Sequence, residues 1–491
     1  MTRPPPLRLR KRRVALVVLL AWVTTAFWQV NKPMPAGTDL LTASVQVPVT
    51  DLNFLHDLTY LDSQGKRHSE QEIFDAVFKL IDEAHSFIVA DFFLFNDSMG
   101  ATSAAHRALS SELAERLLAR KAAIPGMRIV LITDPVNEIY GGTRMPALER
   151  LRRGGVDVVT TGLDELRDSN PSYSAFWRLF VQWWGNAADS GFMPNPFGGT
   201  PQRVSLRSWL AMLNFKANHR KLIVTDRADG SVQSLVMSAN PHDASSAHSN
   251  VALQMSGPLA LQIASNELAV AGFSGWKGQM SFEQSIAASV PVSNAAAQVT
   301  FLTEAAIRGQ LLEQIDATNA GDSVRLAMFY LAQREIIDAL LRAAGRGVRV
   351  QLILDPNKDA FGRQKDGVPN RPVAHELVRK SNGRIEVRWY QTSGEQFHTK
   401  LTLISRDQRL FASLGSANLT RRNVDNYNLE ANVALDLGSD AELAREMTNY
   451  FARLWSNEGG EYTVPFARFD DASRLRYWRY RAMEATGLST F

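Results

Sequence analysis

The feature that most constrains this chain is that it contains itself twice. FIVADFFLFND, starting at Phe87, has a counterpart in VRLAMFYLAQ from Val324, and MRIVLITDP from Met127 matches VRVQLILDP from Val348. The second run of each half ends in Asp-Pro, at Asp134-Pro135 and Asp355-Pro356. These runs read as strands. Beside them lie SEQEIFDAVFKLIDEAH and REIIDALLRAAGRG, whose apolar residues recur at helical spacing. Strands alternating with helices predict an α/β fold with a largely buried sheet. The duplication makes this two pseudo-symmetric lobes, each a mixed sheet flanked by helices, over residues 51–290 and 291–491.

Each half then continues into a segment with polar side chains suited to phosphate chemistry. HRKLIVTD carries His219, Lys221 and Asp226; its partner HTKLTLIS carries His398, Lys400 and, where an aspartate would fall, Ser405. Residues two apart on a strand share a face, so each His and its Lys address the same space. An imidazole there can attack phosphorus or protonate a leaving oxygen, while the ammonium balances charge on the nonbridging oxygens. One His-x-Lys pair is a weak signal, since most such pairs are exposed strand residues. Here there are two, followed by Ser238-Ala239-Asn240 and Ser416-Ala417-Asn418. The separations agree closely, 21 residues from His219 to Asn240 and 20 from His398 to Asn418. Ser238, Asn240, Ser416 and Asn418 are therefore expected to add hydroxyl and amide groups to the same oxyanions.

This constellation resembles the phospholipase D superfamily, whose signature is H-x-K-x4-D followed by G-S-x-N, normally in two copies. The resemblance covers most of residues 51–456. It implies two α/β lobes related by a pseudo-twofold axis and a reaction that needs neither metal nor cofactor. One histidine forms a phosphohistidine; the other protonates the leaving group and then activates water or an alcohol. Carried over, His219 and His398 are the catalytic pair, Lys221, Lys400, Asn240 and Asn418 hold phosphate, and Asp226 supports the structure around them. Ser405 and Met237 depart from the motif, at its second aspartate and first glycine.

The halves are asymmetric in a way that bears on roles. Counting without gaps from each Ser-Ala-Asn sets Asn250 beside Asn428 and Ala252 beside Glu430, whereas matching NVAL to NVAL sets His248 beside Glu430. In either register only the second half keeps a carboxylate where the family often has one contacting its histidine. A carboxylate raises a histidine pKa. The expectation is that Glu430 holds His398 as the acid and that the Asn250 amide orients His219 as the nucleophile; the plain alternative is that Glu430 is a surface residue. His248 could line the pocket or face water.

The first half is longer: Asp134 lies 85 residues before His219, but Asp355 only 43 before His398. The excess is an aromatic insertion, 164–212, with Tyr173, Phe176, Trp177, Phe180, Trp183, Trp184, Phe192 and Phe197. It reads either as a satellite hydrophobic cluster or as a lobe at a lipid interface.

The amino terminus reads as an anchor. A basic tail, 1–13, precedes the uncharged run Val14 to Val30, 17 residues and about 25 Å of helix, the short end of what spans a bilayer. The cationic side stays in the cytoplasm, which places the catalytic body on the periplasmic side of a bacterial inner membrane. A cleaved signal peptide is the competing reading, but the small-residue sites at Ala26 and Ala36 are poor. Residues 31–50 read as a tether. The tail RLRYWRYR, from Arg474, could rest on anionic lipid or stack on the body.

Charge bears on the partner. Six of the 54 basic residues lie before residue 14, leaving 48 against 50 acidic ones. A body with no basic excess is a poor nucleic-acid binder. The absence of cysteine removes disulfides and thiol catalysis. A phospholipid-directed phosphodiesterase or phosphatidyl transferase, with the membrane as partner, is therefore preferred over a nuclease of the same superfamily or a noncatalytic phosphate-binding module.

Overall fold

In a computed structural model, which describes residues 7–97, 106–196, 202–280, 282, 296–360 and 363–491, the duplication appears as two sheets with the same strand order. The first lobe holds β1 (Leu52–Leu61), β2 (Phe87–Phe92), β3 (Arg128–Thr133), β4 (Asp157–Thr160), β5 (Lys221–Asp226), β6 (Val232–Met237) and β7 (Asn250–Ser256). The second holds β8 (Ala296–Thr303), β9 (Ser323–Met328), β10 (Arg349–Leu354), β11 (Ile385–Tyr390), β12 (Lys400–Arg406), β13 (Arg409–Gly415) and β14 (Ala431–Gly438). Across the sheets the order is β1-β7-β6-β5-β2-β3-β4 in one and β8-β14-β13-β12-β9-β10-β11 in the other. In each, three parallel strands continue into an antiparallel meander.

Both faces of each sheet are buried, which is why the strands read as apolar runs rather than as alternating patterns. Successive side chains point to opposite faces. Ile88, Ala90, Phe92 and Ile223 meet the helices Ile73–Glu83 and Leu109–Ala123 on the outside. Val89, Leu222, Val224 and Val251 point inward, into one cluster with Leu401, Leu403, Leu414 and Val433 of the other lobe. The sheets thus pack face to face across a shared core.

One expectation about segments needs revision. Residues 31–50 are not merely a tether: Val45–Pro48 adds an antiparallel strand to the edge of the second sheet, beside β8, and Thr42 N–H donates to Phe301 O at 3.1 Å. The amino-terminal part of the chain therefore closes the sheet of the second lobe before entering the first. The boundary drawn at 290/291, and Phe197 of the insertion, lie outside the described residues.

Helix α1 (Leu7–Asn31) touches the body along the insertion, where Trp22 Nε1 donates to Ser172 O. Its stretch Lys11–Asn31 is long and apolar enough to cross a membrane, with mean hydropathy 1.7. The insertion forms a helix, Pro171–Phe176, that continues into a π-helical turn, Trp177–Val181, then a short hairpin and a second short helix, Leu206–Ala211. Within the carboxy-terminal helix Arg474–Thr486, Tyr480 is buried, while Trp478 is 65% exposed. Arg481 lies 5.8 Å from the Tyr477 ring, so part of that tail stacks on itself and the body.

Candidate active site

His219 and His398 each sit just ahead of a strand, β5 and β12, and the two segments meet at the pseudo-twofold axis. Their neighbours come from the opposite lobe. His219 N–H donates to Leu429 O at 2.8 Å, and Leu429 N–H donates to Ala217 O at 3.0 Å. Reciprocally, Ser249 N–H donates to Gln396 O at 3.1 Å. Each histidine segment therefore runs beside the stretch that leads into β7 or β14 of the other half.

This exchange reverses the expected pairing of histidines and partners. Glu430 lies against His219, with Nδ1 2.9 Å from Oε1 and 3.0 Å from Oε2. Asn250 lies against His398, with Oδ1 3.2 Å from Nδ1. The expectation that Glu430 serves His398 treated each lobe as self-contained, whereas main-chain bridges between lobes carry each partner across. The surface reading of Glu430 also fails, because it is fully buried.

The registers counted from the sequence are corrected too. Ser238 N–H donates to Val251 O and Ser416 N–H to Ala431 O, both at 2.9 Å. Asn250 and Glu430, each one residue earlier, are thus the equivalent pair. Twelve residues separate Ser238 from Asn250 and fourteen separate Ser416 from Glu430, so neither an ungapped count nor an NVAL match aligns them. The longer connection contains the helical turn Arg421–Val424.

Ser238 and Ser416 are expected from the sequence to touch substrate, and their hydrogen bonds direct them instead to Asn250 and Glu430. Ser238 Oγ donates to Asn250 Oδ1 at 3.0 Å and accepts from Val251 N–H at 3.0 Å. Ser416 Oγ donates to Glu430 and accepts from Ala431 N–H at 2.9 Å. Both hydroxyls are fully buried and used, so they orient the groups that orient the histidines. Asn240 Oδ1 accepts from Leu94 N–H at 3.3 Å, whereas Asn418 Oδ1 is buried without a hydrogen-bond partner among the described residues.

Asp226 is remote from this chemistry. At the far end of β5 it accepts the main-chain N–H groups of His85, Ser86 and Phe87 at 3.1, 2.8 and 3.0 Å and the Ser86 hydroxyl at 2.5 Å. It fixes the entry to β2, a supporting role rather than a catalytic one.

The lysines are held by their own motifs. Lys221 Nζ donates to His219 O at 2.5 Å and Lys400 Nζ to His398 O at 2.7 Å. Each ammonium also lies over an aromatic ring, Lys221 5.0 Å from Phe93 and Lys400 5.1 Å from Phe329. The same rings flank the histidines, at 4.8 Å for His219 and 5.0 Å for His398. Phe93 and Phe329 follow β2 and β9 directly, so aligning the two repeats could have found them.

Four cationic or titratable groups converge in little water, since His219 and His398 are each 8% exposed. Burial pushes His219 down to about 4 despite the pull of Glu430. His398 falls well below its ordinary value through burial and the nearby charges of Lys400, His248 and Lys221. Burial lowers Lys221 to about 7 and holds Lys400 well below its ordinary value, with Lys221 as the next cause. Burial raises the Glu430 carboxyl, but His219, Lys221 and the Ser416 hydroxyl together bring it below the usual range. An anion entering the pocket would relieve this repulsion.

Other groups around the site escaped the sequence reading. Arg220, between the motif residues, points away from the pocket into a fully buried network, bonding Glu267 at 2.9 Å and Glu304 of the second lobe at 2.8 Å. Glu304 Oε1 also accepts Glu430 N–H at 2.9 Å, which ties the carboxylate to the strand it serves. Arg422 keeps a buried Nε without a hydrogen-bond partner among the described residues, near Glu430, Tyr140 and Tyr330. His248 is buried rather than facing water, neither ring nitrogen has a hydrogen-bond partner among the described residues, and its ring lies 6.0 Å from that of His398.

The paired lobes and the twinned His-x-Lys segments have counterparts among known proteins. Residues 311–455 match the family described as "Cardiolipin synthase, PLD-like domain". Phosphatidylserine synthase of Haemophilus influenzae has a similar structure, with a TM-score of 0.51 at 12% identity over 93% of this chain and 96% of that one. A phospholipase D family member, Nuc from Salmonella typhimurium, aligns with 34% of this chain and 97% of its own, at 20% identity and a TM-score of 0.27. No curated protein matches the sequence. Residues 311–455 thus resemble a PLD-like domain, and the fold as a whole resembles that of phosphatidylserine synthase.

Proposed function

We propose that this protein is a phosphodiesterase or phosphatidyl transferase that acts on membrane phospholipids through a phosphohistidine, with α1 as its anchor in the inner membrane and the body on the periplasmic side. The observation that carries the reading is the Glu430–His219 pair beside two buried His-x-Lys motifs. An ionised Glu430 accepts the Nδ1 proton and leaves the Nε2 lone pair of His219 free to attack phosphorus. The bond from phosphorus to the headgroup oxygen breaks, and that oxygen takes a proton from His398. Lys221 and Lys400 balance charge on the nonbridging oxygens throughout. Neutral His398 then removes a proton from water or an alcohol as its oxygen attacks phosphorus, and the P–N electron pair returns to His219.

The crossed contacts supply the division of labour. Glu430 offsets the positive charge that the His219 ring acquires when it binds phosphorus. His398 has only an amide beside Nδ1 and two lysines nearby, so its imidazolium gives up a proton readily.

The test is to incubate the purified protein with phosphatidylglycerol, with and without glycerol or ethanol, and to identify the lipid products by mass. Phosphatidic acid reports hydrolysis and phosphatidylethanol reports transfer, whereas transfer to glycerol regenerates phosphatidylglycerol and is read as a fall in phosphatidic acid. His219→Ala and His398→Ala should each abolish both, because nucleophile and acid act as a unit. More than about a tenth of wild-type turnover in either variant would rule out the two-histidine mechanism.

A further inference from the structure

The insertion does not stand apart from the anchor. Trp22 Nε1, midway along the apolar stretch of α1, donates to Ser172 O at 3.0 Å. Nearer the body, Asp168 N–H donates to Gln29 O at 3.1 Å, and Lys32 Nζ donates to Asp164 O at 2.6 Å. Trp22 and Gln29 are seven residues apart, about 10 Å along a helix axis. The insertion therefore follows α1 from the level where its apolar stretch ends to the level of its middle.

The part that reaches this depth is built for hydrocarbon. Residues 171–184, PSYSAFWRLFVQWW, contain one charged side chain, Arg178. That side chain is 11% exposed and is neutralised by Asp168 at 2.8 Å, which Lys216 also contacts at 2.6 Å. The outward face presents Phe176, Phe180, Trp183 and Trp184 at 44, 45, 76 and 47% exposure. The inward face is apolar too, with Trp177 and Val181 buried against Ala211 and Tyr140. A helical segment with large apolar side chains on both its outward and inward faces suits a lipid-facing position, and helical main-chain groups bond internally as a bilayer requires.

The same segment is joined to the site. Asn170 Nδ2 donates to Leu213 O at 3.1 Å and Ser169 Oγ to Phe215 O at 3.3 Å, four residues ahead of His219. We propose that residues 171–184 insert into the outer leaflet beside α1 as a foot, and that this insertion holds the histidine pocket at the level of lipid headgroups. The inference rests on α1 spanning the bilayer, and it adds a second, monotopic contact that fixes how the body is turned toward its substrate.

Because the chain has no cysteine, single nitroxide labels can be placed without a background. Leu20→Cys, Phe180→Cys, Trp183→Cys and, on the exposed β12–β13 turn, Gln408→Cys would each be labelled in the full-length protein in phosphatidylethanolamine–phosphatidylglycerol nanodiscs. Labels at 20, 180 and 183 should collide more with oxygen than with a water-soluble nickel chelate, and the label at 408 should show the reverse. Labels at 180 and 183 that behave like 408, while 20 reads lipid, would overturn the foot and leave the anchor standing. A label at 20 that reads water would overturn both. In a second arm, Trp183→Glu with Trp184→Glu should slow turnover of bilayer phosphatidylglycerol about tenfold and leave a short-chain, monomeric phospholipid unaffected. Equal loss on both substrates would contradict the orienting role, whereas wild-type inactivity on both would count against the proposed reaction alone.

Discussion

Glu430, from the second lobe, receives the Nδ1 proton of His219, from the first, at 2.9 Å. The carboxylate is itself held by the Ser416 hydroxyl and the Asn423 amide, so the ring has one tautomer and one orientation. Glu430→Gln keeps the shape and removes the charge. Turnover should fall by about 10²- to 10³-fold with KM little changed, because the lost charge matters most once His219 carries phosphorus. A variant with near-normal kcat would show that Glu430 is a structural residue.

That pair marks the boundary of what the sequence could reveal. The duplication, the strand pairs Phe87–Phe92 with Ser323–Met328, and the two His-x-Lys motifs are local patterns, and local patterns survive in one dimension. The partner of each histidine is set by the bridges Asn218 to Leu429 and Ser249 to Phe397, between segments about 150 to 210 residues apart. Nothing in the spacing of either half encodes that crossing, and the two-residue length difference hid the equivalence of Asn250 and Glu430. Arg220 was equally opaque, since a strand residue between two motif residues points to the opposite face. Its partners Glu267 and Glu304 come from elements that only the closed structure brings together.

The pH dependence follows from the burial of the cationic groups. His219, pushed down to about 4, is neutral and nucleophilic at any higher pH. His398 must be protonated to act as acid, and its lowered pKa makes that form scarcer as pH rises. Lys221, at about 7, loses its charge over the same range. We expect kcat/KM to fall as pH rises from about 5 to 8, while kcat, measured with the phosphate anion bound, holds to higher pH. Asn250→Asp sets a carboxylate beside His398 and should move the fall in kcat/KM upward. A kcat/KM that climbs through this range in the wild type would contradict the assignment.

Asp226 separates stability from chemistry. Its side chain satisfies three main-chain N–H groups at the start of β2, far from the lysine end of β5. Asp226→Asn should cost about 2–3 kcal/mol of stability, seen as a lowered denaturation midpoint. The kcat of the folded fraction should stay within about threefold of wild type, since no group touching the pocket is altered. A hundredfold loss of kcat at unchanged stability would return Asp226 to the catalytic set.

The roles of the two histidines can be separated by trapping. If His219 is attacked through and His398 supplies and removes protons, the two steps depend differently on His398. Its loss blocks departure of a poor leaving group and also the activation of water. A substrate with a good leaving group, such as a p-nitrophenyl phosphatidyl ester, needs little protonation to depart, so His398→Asn should still complete the first step and stall in the second. The product is a phosphatidyl adduct on His219, which burial of the ring at 8% exposure helps to shield from water. Rapid quenching at neutral or alkaline pH, followed by peptide mass mapping, should place the added mass on the peptide containing His219, with one equivalent of nitrophenol released as a burst. His219→Asn under the same conditions should give neither burst nor adduct. An adduct on His398 in that second variant, with none on His219 in the first, would show that the nucleophile is the histidine beside the amide and that Glu430 holds the acid.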